Sequence, residues 1–479
     1  MRLLVVLALV GTALAGCVTP PDGPVPAATL DPVLPGLLAY DATGASVPVP
    51  EALQEPIAIV ARLLGHRGAE PNVGVTPEGV VFATAGPNTM RSKDHGRTWE
   101  VVFNLTEAFP APVWGTPASQ VARSSDPMLW VDAVTGRVFT NHMTHLLCAN
   151  MIVSDDEGES WTMKPMTCGL PVNDHQKVAT SIGYGPKAKV PNPVYPNAVY
   201  YCYNKLVSTQ CAVSHDGGYN FLYDRTVASG FTDGCGGING HPAPHPDGTM
   251  LVPMTLGCDG PVVGVTEDNG LTWTVRHGPT DVGAEEIDPD VTVTKGGVAY
   301  MLYRGSDHLQ YLVRSKDKFE TWEGPWRVSP PGVTSTVFAG ITSGDDDRIA
   351  MAYLGTRDTD SEPSEAPSGT AWHLFVTYSF DALAESPTFV TTQVTTDADP
   401  VQKGCVWLNG GSHPCRNMLD FIDMTSDAEG RVYVAFTDGC DACPTDKESI
   451  LRNAAVAVLD SGPSLYAAVG RVAEGSSAE

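Results

Sequence analysis

Hydrophobic positions along most of the chain fall in short runs rich in β-branched and aromatic residues, bounded by Gly, Pro, Asp and Asn. Runs of this length and composition predict β-strands separated by tight turns. Apolar residues spaced three and four positions apart, which would predict amphipathic helices, are scarce. The pattern therefore predicts an all-β protein.

A longer unit recurs within this pattern: a polar or Pro-containing strand start, a turn with Gly, and a second strand rich in aromatic residues. Its copies begin at seven positions, namely Glu70, Asp126, Asp174, Gly240, Asp288, Ser335 and Leu419. Seven units over residues 66–475 average about 58 residues each, enough for four short strands with their turns. Four-stranded units around one axis form a β-propeller, so the repeats predict a single propeller. Seven blades are favoured. The alternative is six, if one unit is irregular and only completes the blade of another.

A short motif follows most of these units. Three copies are complete, RSKDHGRTWE, VSDDEGESWT and VTEDNGLTWT, whereas VSHDGGYNF and RSKDKFETW are partial and a faint sixth copy surrounds Asp381. The residues that carry the pattern are Ser92, Asp94, Gly96 and Trp99, then Ser154, Asp156, Gly158 and Trp161, then Asp216, then Asp268, Gly270 and Trp273, and last Asp317 and Trp322. A carboxylate in a tight turn accepts backbone hydrogen bonds, glycine supplies a positive φ, and tryptophan buries an apolar face against the next unit. Because an active site occurs once and this motif recurs, we expect it to be architecture.

The pattern S-x-D-x-G-x-T/S-W resembles the Asp box, or bacterial neuraminidase repeat, of the sialidase superfamily of β-propellers. The resemblance covers about residues 66–475 and implies that the boxes lie at the outer edges of the blades, away from a catalytic centre. Members with sialidase activity have six blades and bind the substrate carboxylate with three arginines, the first in a Phe/Tyr-Arg-Ile-Pro motif. The corresponding stretch here, IVARLLGHRGAEP, lacks that motif. We therefore assign no catalytic residue from the resemblance.

In a propeller the first strand of each unit lines the central channel, so polar residues at the strand starts are candidate site residues. They are Glu70, Asp126, Asp174, His175, His241, Asp288, Asp290, Asp420 and Asp423, with Arg304 and Arg416 as candidate channel arginines. A ring of carboxylates and histidines could hold calcium or present acid and base groups to a sugar. The alternative, which is favoured, is that an acidic residue at a strand start caps a backbone N–H group of the turn. No other metal or cofactor is predicted.

The N-terminus, MRLLVVLALVGTALAGC, predicts a signal peptide over residues 1–16, because one Arg precedes an apolar run too short to span a bilayer. Residues 14–17 resemble a lipobox, so Cys17 is predicted to carry a lipid; the alternative is an ordinary signal peptide. Residues 17–65 are rich in Pro at their start and predict a tether and lead-in, and residues 476–479 form a tail.

The other ten of the 11 cysteines make an even number in an exported chain, which predicts disulfides. Cys148 with Cys168, Cys202 with Cys211 and Cys235 with Cys258 could close locally, and Cys405, Cys415, Cys440 and Cys443 could form two more bridges. A four-thiolate zinc site is the less favoured alternative for that last group. The formal net charge of −26 argues against a nucleic-acid partner and against electrostatic adhesion to anionic lipid.

Two functions are compatible with these observations. One is a glycan- or protein-binding propeller without the full sialidase catalytic set, and the other is an exo-sialidase-like glycoside hydrolase acting on extracellular glycans. The absent arginine motif and the seventh blade favour binding. We expect a monomer, held at the outer face of a membrane by its lipid, with an extracellular glycan or a surface protein as partner.

Overall fold

The computed structural model describes residues 37–54, 56–108, 126–144, 148–168, 173–183, 185–188, 194–255, 257–285, 287–440 and 451–473. These residues are almost entirely strands and turns. The helical segments among them are short: Glu51–Leu53, Leu105–Ala108 and Pro363–Glu365. None of them has the length and apolar character needed to cross a bilayer.

The strands form two N-terminal segments and seven groups. The N-terminal strands are β1 (Leu38–Asp41) and β2 (Ala58–Arg67). The first four groups are β3 (Val73–Val75), β4 (Val81–Ala85), β5 (Asn88–Ser92) and β6 (Glu100–Asn104); β7 (Pro127–Val131), β8 (Val138–Thr144), β9 (Cys148–Ser154) and β10 (Thr162–Cys168); β11 (Asp174–Ser181), β12 (Ala198–Asn204), β13 (Ser208–Ser214) and β14 (Phe221–Ser229); and β15 (Ala243–Pro244), β16 (Met250–Met254), β17 (Val262–Thr266) and β18 (Thr274–His277). The last three groups are β19 (Asp290–Val293), β20 (Ala299–Arg304), β21 (Gln310–Ser315) and β22 (Glu323–Arg327); β23 (Ser335–Ser343), β24 (Ile349–Thr356), β25 (Ala371–Ser379), β26 (Thr388–Gln393) and β27 (Gln402–Lys403); and β28 (Asp423–Ser426), β29 (Val432–Asp438), β30 (Asn453–Pro463) and β31 (Arg471–Val472).

Each group forms an antiparallel sheet in which strands adjacent in sequence are adjacent in space, except that the short β27 pairs with β25. The first strands β3, β7, β11, β15, β19, β23 and β28 contact one another in that order, and β28 contacts β3. The ring is therefore closed, and each sheet is one blade. The predictions of an all-β fold, of a propeller and of seven blades are confirmed.

The N-terminal strands complete the outer edges of the last two blades. Strand β2 pairs with β30 in the seventh blade, where Arg62 and Asp460 form an ion pair of 2.6 Å. Strand β1 pairs with β26 in the sixth blade. Both strands begin before residue 66, at which the repeats placed the start of the propeller. They add outer strands to the last two blades of the ring that β28 and β3 close.

The core lies between blades, because both faces of each sheet are covered by neighbours. In β4, Val81 and Ala83 pack against the seventh blade, while Phe82 packs against Leu129 and Val131 of the second blade. Side chains alternate between the two faces of a strand, so an apolar side chain is buried at every position. This explains why the strands are continuous hydrophobic runs in the sequence.

The Asp boxes lie at the turns between the third and fourth strands of their blades. Asp94 accepts hydrogen bonds from the backbone N–H groups of Arg97 and Thr98 at 3.0 and 2.9 Å and from the hydroxyl of Ser92 at 2.7 Å. Trp99 packs on the core shared with the seventh blade. In the second box a Cβ atom on Gly158 (φ +85°) would lie 3.0 Å from Phe82 of the preceding blade. The boxes thus fix the outer turns against the neighbouring blade, and in the faint sixth copy Asp381 still accepts hydrogen bonds from the hydroxyl of Ser379 and the backbone N–H of Thr388.

Three disulfides join described residues: Cys202–Cys211, Cys235–Cys258 and Cys405–Cys415. Cys440 is also disulfide-bonded. The backbone pairs Cys148 with Cys168 across β9 and β10, but their side chains, like Cys17 and Cys443, lie outside the described residues. Disulfides are typical of chains exported to an oxidising compartment.

Candidate functional site at the channel mouth

The starts of the first strands lie at one end of the channel, opposite to the Asp boxes, because the strands of each blade are antiparallel. Ten of the predicted candidates come together there in one network, which we call the channel mouth: Glu70, Asp126, Asp174, His175, His241, Asp288, Asp290, Arg416, Asp420 and Asp423, together with Lys177. Asp126, Asp174, His175, Arg416 and Asp420 are half-buried and form its outer layer, whereas the other six are buried beneath them.

Asp288 is the centre of the buried layer. One of its oxygens lies 2.9 Å from Nδ1 of His175 and the other 3.1 Å from Nζ of Lys177, whose side chain has no exposed surface. Burial alone would raise the pKa of Asp288, but attraction to His175 and Lys177 outweighs it and lowers the pKa to about 2. Burial opposes a charge on His175 as well, yet Asp288 and Asp174 raise its pKa to about 10. Asp288 and His175 are therefore both charged at neutral pH.

Glu70 and Asp126 form a pair of carboxyl groups that holds a proton. Burial raises the pKa of Asp126 to about 7, with a further contribution from Asp174. Burial also raises the pKa of Glu70 well above its usual range, and repulsion from Asp126 and Asp420 adds to this effect. Oε1 of Glu70 meanwhile accepts a hydrogen bond of 2.9 Å from the backbone N–H of Asp420. Two interacting carboxyls in such a site titrate as a pair.

His241 lies between two further buried acids, 3.8 Å from Asp290 and 3.8 Å from Asp423. Burial lowers the pKa of His241 well below its usual range, so the ring is neutral. It raises the pKa of Asp423 to about 7 and that of Asp290 well above its usual range. These acids bind the backbone of the next blade, since Asp290 accepts from the N–H of Ile341 at 2.8 Å and Asp423 from that of Val73 at 2.9 Å.

Polar contacts near the axis join every pair of neighbouring blades. In ring order they are Asn72 to Pro127, Gln176 to Asp126, Asn239 to His175, His241 to Asp290, Asp290 to Ile341, Thr342 to Ser426, and Asp423 to Val73. Asp290 and Asp423 therefore act across blades, and each also accepts the N–H of the residue that follows it, as Asp174 does, which is the local capping that the sequence favoured. Sequence reasoning missed Asn72, Gln176, Lys177 and Asn239, although each is a polar residue at or just before a buried first strand.

The outer layer depends on the long connection from β26 to β28. Both terminal nitrogens of Arg416 bind the carboxylate of Asp420, at 2.5 and 2.6 Å. The Cys405–Cys415 disulfide closes the preceding part of this connection, where Trp407 and His413 stack with ring centroids 4.1 Å apart. The backbone N–H of Trp407 donates to the carbonyl of Cys415, so the aromatic pair and the ion pair belong to one braced loop.

Arg304 is the predicted candidate that the structure does not bring to the channel mouth. It lies at the end of β20, fully buried, with Nη2 3.6 Å from Glu362 of the sixth blade. Its position as a channel arginine was inferred from its neighbour in sequence, Tyr303. The strand carries it outward to the junction between the fifth and sixth blades.

Lys177 is the internal counter-ion of the buried layer. Burial raises the pKa values of Glu70, Asp290 and Asp423, and the charge of Lys177 partly opposes this rise; together with His175 it lowers the pKa of Asp288. The chain thus supplies a cation of its own among the carboxylates. What remains accessible is the half-buried outer layer, which offers hydrogen-bond donors and acceptors together.

The chain was compared with known protein families and solved structures. A family model for a BNR repeat-like domain matches residues 197–354. No curated protein matches the chain significantly. Solved structures with a similar fold include a Hadza microbial sialidase (14% identity, 87% of this chain and 70% of that chain, TM-score 0.39). Others are an intramolecular trans-sialidase from Ruminococcus gnavus (13%, 81% and 94%, TM-score 0.42) and a lectin from Burkholderia pseudomallei (10%, 78% and 93%, TM-score 0.48).

Identities this low carry no information about the ligand of this chain. The Asp boxes, the repeat match and the closed ring of blades describe the architecture alone. On these grounds the protein is a seven-bladed β-propeller with recurring Asp boxes, of which residues 197–354 match a BNR repeat-like domain.

Proposed function

We propose that this protein is a glycan-binding propeller whose channel mouth takes a neutral, polyhydroxylated ligand. The observation that carries the proposal is the outer layer of the channel mouth, where the side chains of His175, Arg416 and Asp420 keep 11 to 16% of their surface exposed and Arg416 shares a loop with the stacked Trp407–His413 pair. Ligand sites commonly combine aromatic faces with a few fixed polar groups. Sugar hydroxyls both donate and accept hydrogen bonds, and an aromatic ring suits the apolar face of a sugar ring.

The charge distribution favours a neutral sugar over an acidic one. Arg416 is already bound through both terminal nitrogens by Asp420, and Lys177 lies against Asp288 in the buried layer. A ligand carboxylate would have to displace Asp420 and would meet Asp126 and the rest of an acidic cluster. Burying unpaired like charges is costly. A neutral glycan avoids that cost.

A hydrolase is the second candidate, and the Glu70–Asp126 pair favours it. A carboxyl group with a pKa of about 7 is protonated often enough at neutral pH to act as a general acid. In that case Asp126, in the outer layer, would protonate the leaving-group oxygen of a glycoside. The two candidates differ in whether the ligand leaves intact.

A glycan array with the full chain separates them. We expect binding to neutral glycans, weakened at least tenfold by Trp407→Ala and by Asp420→Asn, and unchanged by Asp397→Ala, which alters a carboxylate with 90% of its side chain exposed. Binding restricted to sialylated glycans would refute the neutral-ligand proposal. Bound glycans should be recovered intact by mass spectrometry, whereas cleavage that Asp126→Asn abolishes would establish the hydrolase.

The same binding assay tests whether glycan binding depends on calcium. Because Lys177 already supplies a cation, we expect binding to persist in a chelator; loss of binding that calcium restores would show that the carboxylates hold the ion.

We further propose that Cys17 anchors the chain to the outer face of a membrane. Labelling with a palmitate analogue should then mark the full chain, and Cys17→Ser should remove the label and release the protein.

A further inference from the structure

A second cluster lies where the fifth and sixth blades meet. Arg304 forms its floor, and Glu285, His308 and Glu362 form its rim; we call these four residues the Arg304 cleft. The guanidinium has no exposed surface, while the rim side chains are 22 to 33% exposed. The cleft therefore opens to solvent above a buried cation.

Among the described residues, none lies within good hydrogen-bonding geometry of the Nε, Nη1 or Nη2 atoms of Arg304. Its closest carboxylate oxygen, on Glu362, is 3.6 Å from Nη2, too long for a good hydrogen bond. Buried donors are nearly always satisfied by a partner, and charged ones are the most costly to leave without one. These three nitrogens thus call for acceptor atoms that a bound group can supply.

The rim presents acceptors to the same space. Nδ1 of His308 lies 3.5 Å from Glu285 and 3.4 Å from Glu362, and one ligand atom from each of the three lies within 4.8 Å of the others. A hydroxyl group can accept from Arg304 and donate to a carboxylate in the same position. Two adjacent hydroxyls would satisfy the floor and both acidic rim residues together.

A divalent cation fits the three rim atoms by spacing but not the floor. An ion bound to Glu362 would lie close to the buried guanidinium, and like charges at that distance repel strongly where water is excluded. A carboxylate or phosphate ligand would suit Arg304 but would be repelled by Glu285 and Glu362. The arrangement of donors below and acceptors above matches a neutral polyol.

We propose that the Arg304 cleft is a second saccharide subsite, which binds a vicinal diol between the guanidinium and the two glutamates. The proposal rests on the glycan-binding function of the channel mouth and adds a site on the same face of the propeller. One glycan chain, or two branches of one glycan, could then engage the protein at both places, which raises avidity.

The test uses the full chain with 15N-labelled arginine and NMR titration with methyl α-mannoside, methyl α-galactoside and methyl α-fucoside. Arg304→Lys assigns the Arg304 Nε–H signal. We expect a saturable shift of this signal with at least one sugar, and none with the fully O-methylated sugars, which cannot donate. Glu362→Ala should weaken the effect at least tenfold, whereas Glu365→Ala, an exposed glutamate three residues away, should leave it unchanged. If Glu362→Ala proves poorly folded, Glu362→Gln replaces it in the test. Glutamine keeps an acceptor oxygen, so this variant should weaken the shift of the Arg304 signal by less than Glu362→Ala and by more than Glu365→Ala.

The channel variant Asp420→Asn separates this proposal from the proposed function. We expect it to abolish array binding at the channel mouth while the Arg304 shift persists. Array binding without any Arg304 shift would overturn the subsite and leave the function standing. If neither array binding nor a shift of the Arg304 signal is seen, both the proposed function and the subsite are overturned. Calcium or zinc binding that depends on Glu362 would show a metal site in place of the saccharide subsite.

Discussion

Replacing Asp126 by asparagine removes the group that shares a proton with Glu70 at the channel mouth. The pKa of Asp126 is raised from 3.8 to about 7. A carboxyl whose pKa is higher in the folded state stabilises the fold fully below pH 3.8, and this stabilisation is lost as the pH rises through about 7. Asparagine does not titrate, so the variant should lack this contribution to the pH dependence.

The magnitude follows from the shift. A difference of about three pKa units corresponds to about 4 kcal/mol, at about 1.4 kcal/mol per unit. Because Asp126 is half-buried and coupled to Glu70, we expect about 2 to 4 kcal/mol. An unfolding entropy of about 2.1 cal/mol/K per residue gives about 1 kcal/mol/K for the 479-residue chain. The corresponding change in melting temperature is roughly 2 to 4 °C.

The assay is thermal unfolding of the wild type and Asp126→Asn at pH 5 and at pH 8. The variant should gain stability relative to the wild type from pH 5 to pH 8, because the folded wild-type carboxyl loses its proton over this range. Asp397→Asn, which changes an exposed carboxylate, controls for the loss of a negative charge. Parallel pH profiles for wild type and Asp126→Asn would refute the shared proton.

Three further substitutions test the architecture. Asp94→Ala removes the carboxylate of the first Asp box and should cost about 1 to 2 kcal/mol without changing glycan affinity; lost binding at an unchanged melting temperature would contradict this. Serine at both Cys202 and Cys211 opens a loop of sequence separation 9 and should cost about 3 kcal/mol in urea unfolding, whereas an unchanged midpoint would show that the strand pairing suffices. Gly264→Ala places a Cβ atom 2.1 Å from Val227 of the preceding blade and should cost about 1 to 3 kcal/mol, so a neutral effect would mean that the blades can separate at that point.

The architecture was predictable because its signals are local. Asp94, Gly96 and Trp99 act within one turn, and the turn repeats in sequence wherever a blade repeats in space. The acidic strand starts were equally visible, and most of them come together because a propeller brings the first strands of all its blades to one axis. Recognition of the repeat was therefore enough to place ten candidates at one end of the channel.

The chemistry of the site was not predictable in the same way, because it depends on contacts across blades. Lys177 stands in a run that is otherwise an ordinary buried strand, and only its contact with Asp288, 111 positions later, shows its role. Arg304 illustrates the opposite error. Its position beside Tyr303 suggested the channel, but which blade junction a strand end reaches depends on the whole ring.

The most direct test of the account is a crystal structure of the full chain with the neutral glycan that binds best on the array. We expect an intact sugar at the channel mouth, within hydrogen-bonding distance of His175 or Asp420. A sugar bound only at the outer edges of the blades, whether intact or cleaved, would contradict the assignment of the channel mouth as the glycan-binding site.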